Sequence, residues 1–165
     1  RLGMLLPMFG TEAAGFSAMS WSPRVGVYQA VREINNKTDG VADHLLPNTQ
    51  LRIAFKDSKC DATESLMSAL HLTRDSFNGE GVSAIIGAGY SGASTTAAQV
   101  ARGSSVPIIS ATSTSPTLSD GKDYPYFLRT CPSDAFGAVA MVDVLQKLWN
   151  YSSVALVHST DAYGS

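Results

Sequence analysis

The chain has 165 residues, of which 44% are hydrophobic and 16% charged, with a formal net charge of −2 at pH 7. That length buries one real core without disulfide staples. A near-neutral charge with no run of lysine or arginine makes nucleic acid a poor guess for a partner. No apolar stretch approaches the roughly 20 residues that cross a bilayer as a helix. The chain opens on Arg1 without an initiator methionine, so a processed or excised piece is expected.

Taken in order, the elements alternate. Leu2–Met8 is a short apolar run bounded by Pro7 and Gly10, the pattern of a buried strand. Pro23 suits the first turn of a helix with Ser22 as its N-cap, and Val25, Tyr28, Ala30, Val31 and Ile34 form its apolar stripe. Over Gln50–Asp57, Leu51, Ile53 and Phe55 alternate with polar residues as in a half-buried strand. Asp61 or Thr63 caps a second helix carrying Leu66, Leu70 and Leu72, and Gly79 and Gly81 break it. Val82–Gly87 reads as a third strand, Ala93–Arg102 as a helix and Val106–Ser110 as a fourth strand. Tyr124–Arg129 is a fifth extended segment, Ala135–Trp149 a helix and Ser153–His158 a last strand. Strands alternating with helices of this length predict an α/β fold: an open, mostly parallel sheet with helices on both faces.

Gly87, Gly89 and Gly92 in "IIGAGYSGAS" have the G-x-G-x-x-G spacing of the dinucleotide fingerprint. Its context fails. The turn follows the third strand, not the first, and no carboxylate occurs about 20 residues on, at Ser110–Thr112. No cofactor is therefore expected. The turn still leaves backbone N–H groups at a helix start, where an anion is favoured, and Ser91 and Ser94 add hydroxyls. A second hydroxyl-rich turn, "SATSTSPTLSD", follows the next strand with Thr112, Ser113, Thr114 and Ser115. Adjacent strands thus deliver two donor-rich loops to one sheet edge, where open α/β sheets bind ligands. Such groups hold a small zwitterion without catalysis, and no enzyme motif appears. His44, His71 and His158 lack metal spacing. Asp57 ends the second strand at the same edge, where a contact to a cation or amine is a secondary reading. Trp149 and Phe136 read as core or interface residues. Cys60 and Cys131 allow one disulfide or two free thiols, and the sequons at Asn36 and Asn150 favour an extracellular chain with glycans.

"FKDSKCDATES", "IIGAGYSGAS", "VPIISATSTSPTLSD" and "YPYFLRTCPSDAFGAVAMVDVLQKLWNYSSVALVHSTDAYG" resemble, in order, the Venus-flytrap ectodomain of class C G-protein-coupled receptors, of periplasmic-binding-protein type I fold. "DSKCD" is similar to GABA-B receptors, and "PSDAFGAVAMVDVL" to metabotropic glutamate receptors. The resemblance implies a two-lobed receptor domain on the extracellular face of the plasma membrane, closing on an amino-acid-like ligand such as glutamate or GABA. Residues 1–150 would be the first lobe and 151–165 the start of a truncated second. It further implies ligand contacts from Ser91, Thr112, the Ser113 backbone, Thr114 and Tyr163, with Trp21 as the equivalent of a first-loop tryptophan. Cys131 stands where GABA-B receptors carry a histidine beside the ligand. Tyr90 stands where they carry the cysteine partner of Cys60, so Cys60 pairs with Cys131 or both are free. The expected partners are a homo- or heterodimer mate through the first lobe, by a face including Tyr28, Val31 and Met67, and a G protein through an absent transmembrane region. The alternatives are a solute-binding protein of an amino-acid ABC transporter and the ligand-binding region of a receptor guanylate cyclase or ionotropic glutamate receptor.

Overall fold

A computed structural model describes residues 1–7, 21–74, 81–160 and 163–164. Five strands form one sheet: β1 (Leu2–Leu6), β2 (Ile53–Asp57), β3 (Ala84–Gly87), β4 (Ile108–Ser110) and β5 (Phe127–Arg129). Their spatial order is β2-β1-β3-β4-β5, and every pairing is parallel. The crossovers carry α1 (Trp21–Asn35), α2 (Ala62–Arg74) and α3 (Ser91–Ser104), and a short 3₁₀ turn, Pro116–Ser119, lies between β4 and β5. α4 (Asp134–Asp143) follows β5 and widens into one π turn over Val144–Leu148. The doubly wound parallel sheet expected from the sequence is present.

The core lies between the sheet and the α2–α3 pair. Leu5, Ile85 and Ile108 are fully buried on that face, against Ala69 and Leu72 of α2 and Ala93, Ala97 and Ala101 of α3. Alanine at four-residue spacing keeps one side of α3 thin, so the helix lies close to the strands. Asp61, not Thr63, caps α2: its Oδ1 accepts from the Glu64 N–H at 2.8 Å. α2 ends at Arg74. Gly81 is needed just beyond it, because a Cβ there would stand 2.5 Å from the Thr73 carbonyl oxygen. Gly79, like Met8 and Gly10, lies outside the described residues.

On the other face Met4 of β1 is fully buried, and α1 lies across a cavity from the strands. The stripe that α1 turns to the sheet is Val27, Ala30, Val31 and Ile34, and Val25 and Tyr28 are exposed. This corrects the stripe read from the sequence. Both sets fit a helical period, but Val25 and Tyr28 lie too far round the helix from Val27 and Ile34 to share their face.

Ser153–His158 forms no strand, a second correction. Leu156 is 87% and Val157 99% exposed. The composition is that of a buried strand, but a strand exists only through a neighbour's backbone, and no described strand lies beside it. α4 is similar, with no buried residue and Phe136 74% exposed. The core role read for Phe136 and Trp149 is not met among the described residues. No helix among these residues is long and apolar enough to cross a membrane.

Candidate functional site

The carboxyl ends of β3, β4 and β5 carry the polar turns, beside the point between β1 and β3 where strand order reverses. Crevices at such switch points are the ligand sites of open α/β sheets. Ser91 is the first residue of α3, and the helix begins two residues earlier than the sequence pattern indicated. Its N-cap is Tyr90, in extended conformation and without a side-chain cap bond. Ser94 N–H already bonds the Tyr90 carbonyl at 3.0 Å. Among the described residues the Gly92 and Ala93 N–H groups find no acceptor. A helix start with free amides favours an anion.

The two turns meet. Ser91 Oγ accepts from the Ser115 N–H at 3.1 Å. Ser91 is only 3% exposed, and its own hydroxyl proton has no acceptor among the described residues. Beneath it lies a closed serine network. Ser94 Oγ and Ser113 Oγ are 2.7 Å apart, and Ser110 Oγ donates to the Ala88 carbonyl at 2.8 Å. Ser110 Oγ also accepts from the Ser113 N–H at 3.1 Å. On the far side the Arg129 guanidinium donates to the Ser113 and Ser115 carbonyls at 3.3 and 2.9 Å and to Ser119 Oγ. These bonds satisfy buried hydroxyls and fix the loop geometry.

Each expected contact residue therefore has a definite place. Thr112 is exposed at the rim, with Oγ1 donating to the Gly89 carbonyl at 2.8 Å. Ser113 is fully buried, and both its N–H and its carbonyl are engaged within the protein. Thr114 Oγ1 donates to Asp134 Oδ2 at 2.8 Å, its carbonyl accepts from the Asp134 N–H at 2.9 Å, and its own N–H has no acceptor among the described residues. Cys131 joins the same cluster, its Sγ 3.6 Å from the Ser113 carbonyl. Tyr163 is half exposed in a turn outside the sheet. Trp21 opens α1 instead of standing in a loop, and its side chain lies outside the described residues.

Asp134 is the residue that sequence reasoning missed. It reads as an ordinary acid in the first turn of α4, next to the Ser133 cap. Folding places it one hydrogen bond from Thr114, twenty residues away in sequence. It adds a negative charge to the donor groups of the two turns. The rim thus offers neutral donors for a carboxylate and a carboxylate for an ammonium group.

Cys60 and Cys131 are both free thiols, so of the two sequence alternatives the unpaired one holds. Topology gives the reason. They follow β2 and β5, the two edges of the sheet, and four inter-strand steps of about 4.8 Å separate those edges by roughly 19 Å. A disulfide tolerates about 7 Å between Cα atoms. Burial, and after it the Asp57 carboxylate, raises the Cys60 thiol above its ordinary range, which keeps thiolate scarce at neutral pH. At pH 7.5 Cys60 is expected to react with iodoacetamide several-fold more slowly than glutathione does, as read by mass spectrometry. An equal rate would contradict its partial burial. Among the described residues no group of three or more His, Cys, Asp or Glu could hold a metal ion.

Comparison with known proteins identifies the family and the fold. The model of the receptor family ligand binding region matches residues 23–165. Metabotropic glutamate receptor 4 of Macaca fascicularis is 31% identical over 99% of this chain and 20% of its own length. Glutamate receptor 3.7 of Arabidopsis thaliana is 31% identical over 94% of the chain and 16% of its own. The chain thus spans a fifth or less of these curated relatives. Among solved structures, the branched-chain amino acid transporter substrate binding protein LivJ of Streptococcus pneumoniae, in complex with isoleucine, superposes with a TM-score of 0.68. It is 27% identical, over 89% of this chain and 38% of that one. The chain belongs to the receptor family ligand binding region and carries the α/β lobe of the type I periplasmic binding proteins.

Proposed function

We propose that this chain supplies the first lobe of the extracellular ligand-binding domain of a membrane receptor of the class C type, and that it holds the zwitterionic head of an amino acid. The observation that carries the reading is the meeting of two opposite chemistries at one rim. The Gly92, Ala93 and Thr114 amides and the Ser91 hydroxyl suit a carboxylate, and Asp134 suits an ammonium group. Charged hydrogen bonds of this kind contribute about 1.5–3 kcal/mol each.

The largely exposed, apolar α4, with no buried residue, and segment 153–158 support a second lobe that begins at the Ser133 cap instead of at 151. That lobe would close over the ligand and shift an open–closed equilibrium. Asn36 and Asn150 are exposed, and the sequon hydroxyl of Thr38 donates to Asn36 Oδ1 at 3.0 Å, as suits glycan acceptors on a secreted surface. Tyr28 and Met67 stay exposed for a dimer mate, whereas Val31 turns inward. The likeness to LivJ supports a second reading, a solute-binding protein feeding a transporter; a transmembrane bundle encoded in the full-length gene would exclude it.

The test is calorimetric titration with an α-amino acid, its decarboxylated amine and its deaminated acid. Both analogues are expected to bind at least about tenfold more weakly, the loss of one charged hydrogen bond. Asp134→Asn should erase the preference for the amino acid over the deaminated acid. An intact preference in that variant would remove Asp134 from the site.

A further inference from the structure

The two turns have a second flank. On the side away from α3, a cavity of about 410 Å³ runs between α1 and the sheet. Leu6, Val27, Val31 and Ile86 wall it, and Gly89 and Thr112 line its end at the rim. None of the described residues lining it is charged, and the one side-chain hydroxyl among these, on Thr112, is already engaged with the Gly89 carbonyl. Gly89 and Thr112 belong to the same turns that present the polar groups. A head held at the rim by those groups therefore has an apolar space within reach on the α1 side. The volume lies in the usual range of small-ligand pockets. An acidic or basic side chain placed there would lose its hydration with no charged partner among the described residues to replace it.

We infer that this cavity is the side-chain subsite, and that the ligand class is α-amino acids with bulky, uncharged, apolar side chains, in preference to glutamate or GABA. The inference rests on the amino-acid reading given above and adds the side-chain chemistry. The experiment is titration of the full chain with alanine, valine, leucine, phenylalanine, glutamate and GABA. Affinity should climb from alanine to leucine by about fourfold per methylene buried, with glutamate no tighter than alanine. Val31→Phe, which fills the cavity, should pull leucine affinity down to that of alanine. Ala30→Leu, at a more exposed cavity position, serves if Val31→Phe does not fold. Tighter binding of glutamate than leucine, or leucine affinity unmoved in a folded filled variant, overturns the side-chain assignment alone. Absence of binding by every amino acid overturns the zwitterion reading and this one with it.

Discussion

Ser91→Ala is expected to weaken amino-acid binding by about 10- to 150-fold, the equivalent of a charged hydrogen bond of about 1.5–3 kcal/mol. Ser91 Oγ accepts from the Ser115 N–H, and its unshared proton is the donor left over for a ligand. The same substitution strips a buried N–H of its acceptor, so stability should fall too, by about 1–3 kcal/mol. The two effects are separable through Ser94→Ala. Ser94 is fully buried, and its hydroxyl bonds Ser113 inside the network. That variant should lose stability and keep its ligand affinity within about threefold, because it touches no rim group and removes no charged bond. If Ser94→Ala weakens binding as much as Ser91→Ala does, the serine effect is loop distortion and Ser91 is not a contact. Calorimetry well below the melting temperature of each variant reads the binding, and thermal denaturation reads the stability.

What the sequence disclosed follows from what is local. Short apolar runs ended by Gly and Pro located the strands, and β-α alternation forced the parallel sheet. The convergence of the two turns at Ser91 and Ser115 followed from adjacent parallel strands sharing one edge. Non-local facts were hidden. Nothing in "PSDAF" distinguishes an acid that caps its own helix from one that meets Thr114, since both follow the same serine. Ser153–His158 shows the converse error. Val154, Leu156 and Val157 have strand composition, but burial belongs to the neighbours, and none is present in the described chain. The α1 stripe failed by rotation, because a helix with Val25, Val27, Tyr28 and Val31 offers two overlapping apolar faces, and only packing selects one.

The glycine fingerprint is best explained by a stability measurement. Gly87→Ala is expected to destabilise the fold by about 3 kcal/mol or more, from a strained backbone and a steric clash together. Gly87 has φ +127, and a Cβ there would stand 1.9 Å from the Leu5 carbonyl oxygen. Leu5 and Gly87 are register partners on adjacent parallel strands, and Leu5 is fully buried, so neither backbone can retreat. The other two glycines have local duties as well. A Cβ on Gly89 would meet Pro7 Cδ at 3.2 Å, and one on Gly92 would meet the Tyr90 ring at 3.0 Å. The spacing that imitates a nucleotide motif thus packs the end of β1 and the start of α3. Gly103→Ala is the control: it lies within α3 with nothing inside 4 Å of its Cβ position, and it should stabilise by about 0.5–1 kcal/mol. For a chain of this size, a loss of 3 kcal/mol lowers the melting temperature by roughly 6–12 °C. A Gly87→Ala protein that melts with the parent would mean that β1 and β3 do not approach here, and the rim built on their ends would go with them.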